Sequence, residues 1–126
     1  MAYNLHAHLV FVTKYRRVLF DDAMLKRCEE NMREVCDSFE AELREFNGER
    51  DHAHLLVHYP AKVTISKLVN SLKGVSSRYL RAEYTDRINR IGMGSALWSR
   101  SYFAGSCSGA PLTVIRQYIE SQQHPT

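Results

Sequence analysis

The sequence predicts an α+β fold of the ferredoxin-like type, an antiparallel sheet with helices on one face and a further helix at the C-terminal end. Three observations carry this prediction. Ala53, Leu55, Val57 and Tyr59 alternate with His52, His54 and His58, the period-two pattern of a half-buried strand. Two longer stretches, beginning near Met24 and near Ile65, repeat apolar residues at helical spacing. Taken in order, the segments read β-α-β-β-α-β-α, an antiparallel arrangement with its helices packed on the sheet.

Length and composition set the frame. A chain of 126 residues suits one domain with one hydrophobic core. Hydrophobic content of 44% and charged content of 25% are ordinary for a globular protein. No apolar run reaches the length that spans a bilayer, and no signal-peptide pattern opens the chain. Cys28, Cys36 and Cys107 are scattered and odd in number, which argues against a disulfide framework and a cysteine zinc site. A reducing cytoplasm is the expected compartment. The net charge of +3 is compatible with nucleic acid. Acids concentrate between Asp21 and Glu49, while the first strand's end and the stretch from Lys62 to Arg100 are mostly basic.

The first strand is expected over Tyr3 to Thr13, rich in aromatic and branched residues. It holds a His-x-His pair of its own, His6 and His8. Lys14, Tyr15, Arg16 and Arg17 follow, a basic cluster with an aromatic inserted. Such a cluster fits a solvated strand end, and it equally fits a single-stranded backbone and its bases.

Asp21 and Asp22 can cap a helix whose core face is Met24, Leu25, Cys28, Met32, Val35, Cys36 and Phe39. Ala41 to Phe46 reads as the second strand and Asn47-Gly48 as a turn. The histidine strand from about Arg50 then closes a hairpin. Thr64 caps the next helix, with Ile65, Leu68, Val69, Leu72, Val75, Tyr79 and Leu80 facing the core. Its other sides carry Lys67, Lys73, Arg78 and Arg81 among small hydroxyl residues, a surface suited to phosphate oxygens or simply to water. Residues 85–96 read as a loop, Ala96 to Ala104 as the last strand, and Gly105 to Gly109 as a flexible connection. Pro111 suits the first turn of the final helix, which runs to about Gln123.

Two features could carry chemistry. Imidazoles two apart on a strand are spaced to share a metal ion, and both His6/His8 and His52/His54 qualify. A half-exposed strand with polar histidines has the same spacing. On the last helix, Tyr118 and Gln122 are four apart and share a face. A tyrosine oxygen can attack phosphorus once its proton leaves. A glutamine carbonyl can ligate a hard divalent cation, and two imidazoles with one amide oxygen suit Mg²⁺ or Mn²⁺ better than a closed zinc site. Equally, Tyr118 could be a packing residue and Gln122 a solvated one.

The chain resembles the IS200/IS605-family transposases, the single-tyrosine (Y1) members of the HUH endonuclease superfamily. The resemblance runs from about Tyr3 to Gln123. It is carried by His8-Leu9-Val10-Phe11 leading into Lys14-Tyr15-Arg16-Arg17, by Asp51-His52-Ala53-His54-Leu55-Leu56, and by Lys73-Gly74-Val75-Ser76-Ser77-Arg78. Leu97-Trp98-Ser99-Arg100-Ser101-Tyr102-Phe103, Gly109-Ala110-Pro111-Leu112 and Gln117-Tyr118-Ile119-Glu120-Ser121-Gln122 complete it. It implies that His52, His54 and Gln122 ligate Mg²⁺ or Mn²⁺, that Tyr118 is the nucleophile, and that the C-terminal helix is catalytic. His58 is then expected to be peripheral. Lys14, Arg16, Arg17, Lys73 and Arg78 are the expected DNA contacts, with Val75 standing where relatives often carry a basic residue. The implied activity is cleavage and rejoining of single-stranded DNA hairpins at element ends through a 5′-phosphotyrosine link, by a homodimer. Two other roles stay open: a domesticated relative acting on chromosomal repeat hairpins, and a non-catalytic single-strand-binding module.

Overall fold

A computed structural model describes residues 5–94, 96–106 and 112–122, with Ser106 and residues 112–115 as backbone only. Strand β1 (Leu5–Val12) leads through a 3-10 turn (Lys14–Arg16) into helix α1 (Asp22–Ser38). The hairpin β2 (Glu42–Gly48) and β3 (His52–Tyr59) follows, then α2 (Ile65–Glu83), α3 (Thr85–Ile91), β4 (Phe103–Ser106) and α4 (Leu112–Ser121). The four strands pair antiparallel in the order β2-β3-β1-β4. This is the ferredoxin-like α+β sheet that the order of elements implies.

Local chemistry places the helices. Asp21 caps α1, its carboxylate accepting from the Met24 backbone N–H at 2.8 Å, and an acid at that end complements the helix dipole. Thr64 caps α2 by accepting from the Lys67 N–H. The apolar faces of α1 and α2 pack on Leu9, Phe11, Ala53, Leu55 and Val57. Burial of that face removes Cys28 and Cys36 from water and pushes both thiols up to about 12, so they stay protonated and unreactive.

β1 is buried on both sides over Leu9–Val12. Val10 and Val12 point away from α1 and α2 and are covered by Ile119 of α4, with Phe103 and Tyr118 beside them. α4 therefore lies across the opposite face, the one that carries the β3 histidines.

Several local expectations change. Residues 85–91 form α3 rather than loop. Its single fully buried side chain, Ile88, is too little for a periodic signal, and Gly92 ends it in the left-handed region at φ 76°. Asn47 and Gly48 lie within β2, paired with His54 and Ala53, and the chain turns over Glu49–Asp51 instead. Leu97 and Trp98 are apolar because they close the end of the core. The Trp98 ring lies 5.9 Å from Phe11 and 5.6 Å from Phe20, and its indole N–H donates to Ser76 Oγ at 3.0 Å. Strand pairing is left to Phe103–Ser106, beyond a single Thr13–Trp98 bridge. Tyr79 is 44% exposed rather than core-facing. Tyr3, Cys107, Gly109 and Pro111 lie outside the described residues.

Candidate active site

β3 alternates strictly, so Ala53, Leu55, Val57 and Tyr59 are buried while His52, His54 and His58 share the other face. Pairing with β1 sets Val12 opposite His52, Val10 opposite His54, and His6 opposite His58. The five histidines of β1 and β3 consequently divide into separate groups.

At the α4 end of the sheet, His52 Nδ1 lies 2.9 Å from Asp51 Oδ1, and Arg16 Nε donates to Asp51 Oδ2 at 2.7 Å. Burial opposes ionisation of Asp51, but the His52 and Arg16 bonds outweigh it and hold the carboxyl below its ordinary range. An ionised carboxylate only accepts, so His52 carries a proton on Nδ1, which leaves Nε2 as the nitrogen that could ligate a metal. A carboxylate holding the far nitrogen is the usual support of a metal-binding imidazole. Arg16 reaches Asp51 from a turn in which Tyr15 and Arg16 have φ of 58° and 56°, a left-handed backbone that costs non-glycine residues energy.

His54 Nε2 lies 3.0 Å from His8 Nδ1 across the sheet. Burial first, then the neighbouring His8 and His52, lowers the His54 pKa and favours neutral imidazole, the ligating form. His8 is thus joined to the β3 pair rather than forming a separate site with His6. His6 stacks on His58 at 3.8 Å between ring centroids, six pairs along the strand from Val12 and His52 and hence away from them.

On α4, Tyr118 and Gln122 meet over one loop. Ser101 Oγ lies 2.9 Å from Tyr118 Oη and donates to Gln122 Oε1 at 3.0 Å, while Ser99 Oγ donates to the same oxygen at 2.5 Å. Burial raises the Tyr118 pKa, so the phenol is neutral at pH 7. The Phe103 ring lies 6.0 Å from the Tyr118 ring.

Two half-sites result. His52 and His54 share one strand face, and Tyr118 and Gln122 share one helix face. Among the described residues no hydrogen bond, ion pair or ring contact joins the two pairs. A cleft of about 520 Å³ adjoins the first of them, lined by His52, His54, Arg16, Arg50, Arg116 and Ile119 among others. In kind these donors would suit a divalent cation, His52 and His54 with imidazole nitrogens and Gln122 with an amide oxygen, but among the described residues no group of three or more His, Cys, Asp or Glu is placed to hold one.

The expected DNA contacts scatter. Lys14 and Arg17 stand over the Tyr15 ring at 5.3 and 5.9 Å, and Arg17 also donates to the Ile91 carbonyl at 2.8 Å. Arg16 serves Asp51. Arg78 is exposed over Tyr79. The Lys73 ammonium is taken up by backbone carbonyls 99–101. Sequence reasoning missed the parts played by Asp51, Ser99, Ser101, Arg50 and Arg116. Asp51 was legible, being the acid adjoining the first histidine; the serines had no local signal.

The antiparallel α+β sheet thus carries a histidine pair on one strand and a tyrosine on a separate C-terminal helix. The pattern of the family described as "Transposase IS200 like" matches residues 1–122, and the chain belongs to that family. It is 28% identical over 120 residues to the transposases for insertion sequence element IS200 of Salmonella typhimurium and of Salmonella typhi, covering 95% of this chain and 78% of each relative. A solved Deinococcus radiodurans R1 protein assigned as a transposase superposes with a TM-score of 0.88 at 28% identity, over 100% of this chain and 95% of that one. A REP-associated tyrosine transposase, solved bound to a REP hairpin, shares the fold with a TM-score of 0.57 at 9% identity, over 94% of this chain and 64% of that one. Among the described residues no helix is long and apolar enough to cross a membrane.

Proposed function

We propose that this transposase cleaves and rejoins single-stranded DNA at hairpin-bearing element ends, using Tyr118 as nucleophile and Mg²⁺ or Mn²⁺ held by His52, His54 and Gln122. The observation that carries this reading is the Asp51-supported His52 beside His54, opening on a cleft whose lining includes Arg16, Arg50 and Arg116. Arginines beside imidazoles suit a phosphodiester: the guanidiniums would hold its non-bridging oxygens, and the imidazoles would offer ring nitrogens to a cation. The bound cation would polarise the scissile phosphate and stabilise charge developing on its oxygens.

The Tyr118 oxygen forms a bond to phosphorus as its phenolic proton leaves. The bond from phosphorus to the 3′ oxygen breaks, and that oxygen departs as a 3′-OH. The product is a 5′-phosphotyrosine, and attack by a 3′-OH reverses the step and joins strands. One phosphodiester replaces another, so no nucleotide cofactor is consumed. On this reading the active form is a homodimer in which α4 of one subunit completes the other's metal site, an arrangement compatible with the lack, among the described residues, of a hydrogen bond between Tyr118 or Gln122 and the histidine pair.

The test is a covalent adduct between protein and a hairpin-bearing single-stranded oligonucleotide, resolved on a denaturing gel. Wild type forms the adduct with Mg²⁺ or Mn²⁺ and loses it with a chelator. Tyr118→Phe abolishes it, and His52→Ala abolishes it while hairpin binding persists. An adduct that survives Tyr118→Phe removes Tyr118 from the mechanism; binding without an adduct in any metal makes the chain a binding module.

A further inference from the structure

Lys73 stands in the middle of α2, on a helix whose basic side chains looked suited to phosphate. Its ammonium is half-buried and turned onto the protein. Nζ donates to the Ser99 carbonyl at 2.6 Å, the Arg100 carbonyl at 3.1 Å and the Ser101 carbonyl at 3.4 Å. An ammonium has three N–H donors and no acceptor, so three successive carbonyls use its whole capacity. Burial lowers its pKa, and among the described residues no carboxylate pairs with it.

The same three-residue loop turns its hydroxyls towards α4. Gln122 Oε1 can only accept, and it takes the Ser99 and Ser101 hydroxyl protons at 2.5 and 3.0 Å. Ser101 has a single proton, so with that proton given to Gln122 it accepts from the Tyr118 phenol at 2.9 Å. A continuous path thus runs from the Lys73 ammonium, through the loop backbone, to the two α4 groups. An extended loop without such a clamp has no reason to hold two hydroxyls in register with residues four apart on a helix.

We propose that Lys73 is a positioning residue, whose clamp on the Ser99–Ser101 carbonyls aims the serine hydroxyls that hold Tyr118 and Gln122, rather than a contact to DNA phosphate. The inference takes the roles of Tyr118 and Gln122 from the proposed function, whereas the geometry it asserts exists without DNA or metal.

Four forms of the protein test it: Lys73→Met, Lys73→Gln, Ser101→Ala and the Lys73→Met/Ser101→Ala double variant. At saturating hairpin oligonucleotide, Lys73→Met and Ser101→Ala each slow adduct formation roughly 10- to 100-fold, the scale of a small misplacement of a reacting group. The double variant is no slower than the slower single one, because both break the same path. Hairpin affinity and its salt dependence match wild type. Lys73→Gln keeps an N–H donor without the charge and recovers rate relative to Lys73→Met. In tyrosine-labelled protein free of DNA and metal, the Tyr118 ring resonance moves in Lys73→Met as it does in Ser101→Ala.

Weaker binding in Lys73→Met, with a salt slope reduced by about one, identifies a phosphate contact and overturns the proposal. A Tyr118 resonance left at its wild-type position in Lys73→Met overturns it too. If Lys73→Met fails to fold, Lys73→Leu, which also lacks a donor, carries the resonance measurement with the same two readings. The resonance outcome stands whether or not Tyr118 proves to be the nucleophile.

Discussion

Asp51 shows how one side chain sets the chemistry of its neighbour. One carboxylate oxygen holds His52 Nδ1 at 2.9 Å and the other holds Arg16 Nε at 2.7 Å. The first bond chooses the His52 tautomer; the second keeps the carboxylate ionised so that it can only accept. Asp51→Asn keeps the shape and loses the charge. It should weaken Mn²⁺ binding roughly 10- to 100-fold, the usual cost of losing such a supporting group, with hairpin affinity unchanged. Calorimetric titration of Mn²⁺ into the DNA-free protein measures this, and wild-type affinity in the variant would remove Asp51 from the site.

At the scale of elements, the start of α1 is fastened twice. Asp21 caps the helix through the Met24 N–H and pairs with Arg87 of α3. The Arg87 bond first, and the Met24 bond after it, hold the Asp21 carboxyl below its ordinary value. A carboxyl whose folded pKa is depressed stabilises the protein above its unfolded pKa, and that contribution fades as pH falls through the folded value. Asp21→Ala should therefore cost about 1 kcal/mol at pH 7, in line with other helix caps. The difference should shrink as pH falls below the ordinary carboxyl range. Urea unfolding at neutral and acid pH compares the two, and a pH-independent difference would show that the charge plays no part.

For the molecule as a whole, the decisive arrangement is a sheet used on both faces. α1 and α2 bury one face in the main core, while α4 is held to the other through Ile119 against Val10 and Val12. That second cluster is small and separate from the main core, so α4 can be released without disrupting that core. Ile119→Ala should cost about 2 kcal/mol, at the low end for a buried aliphatic, with the loss falling on α4 rather than on global unfolding. Amide exchange in α4 should rise roughly thirtyfold while the β1 and β3 amides keep their protection. Equal acceleration in all three elements would mean that α4 unfolds only with the whole chain.

The sequence by itself determined the order of elements apart from α3, the ferredoxin-like sheet and the separation of faces on β3. Those properties follow from periodicities of two and 3.6, which a linear chain displays directly. It also carried the family pattern, and with it the expected roles of His52, His54, Tyr118 and Gln122. Only the tertiary structure decided which distant groups meet. Asp51 turns onto His52, His8 reaches His54 across two strands, and Lys73 closes on a loop some 26 positions away. The apolar run around Trp98 is core rather than strand, because Phe11 of β1, Phe20 of the segment before α1 and Ser76 of α2 converge on it. α3 escaped notice because one buried side chain every two turns leaves no period to read. Hydrogen bonds and ring contacts between residues far apart in the chain depend on packing in three dimensions, and no local spacing encodes them.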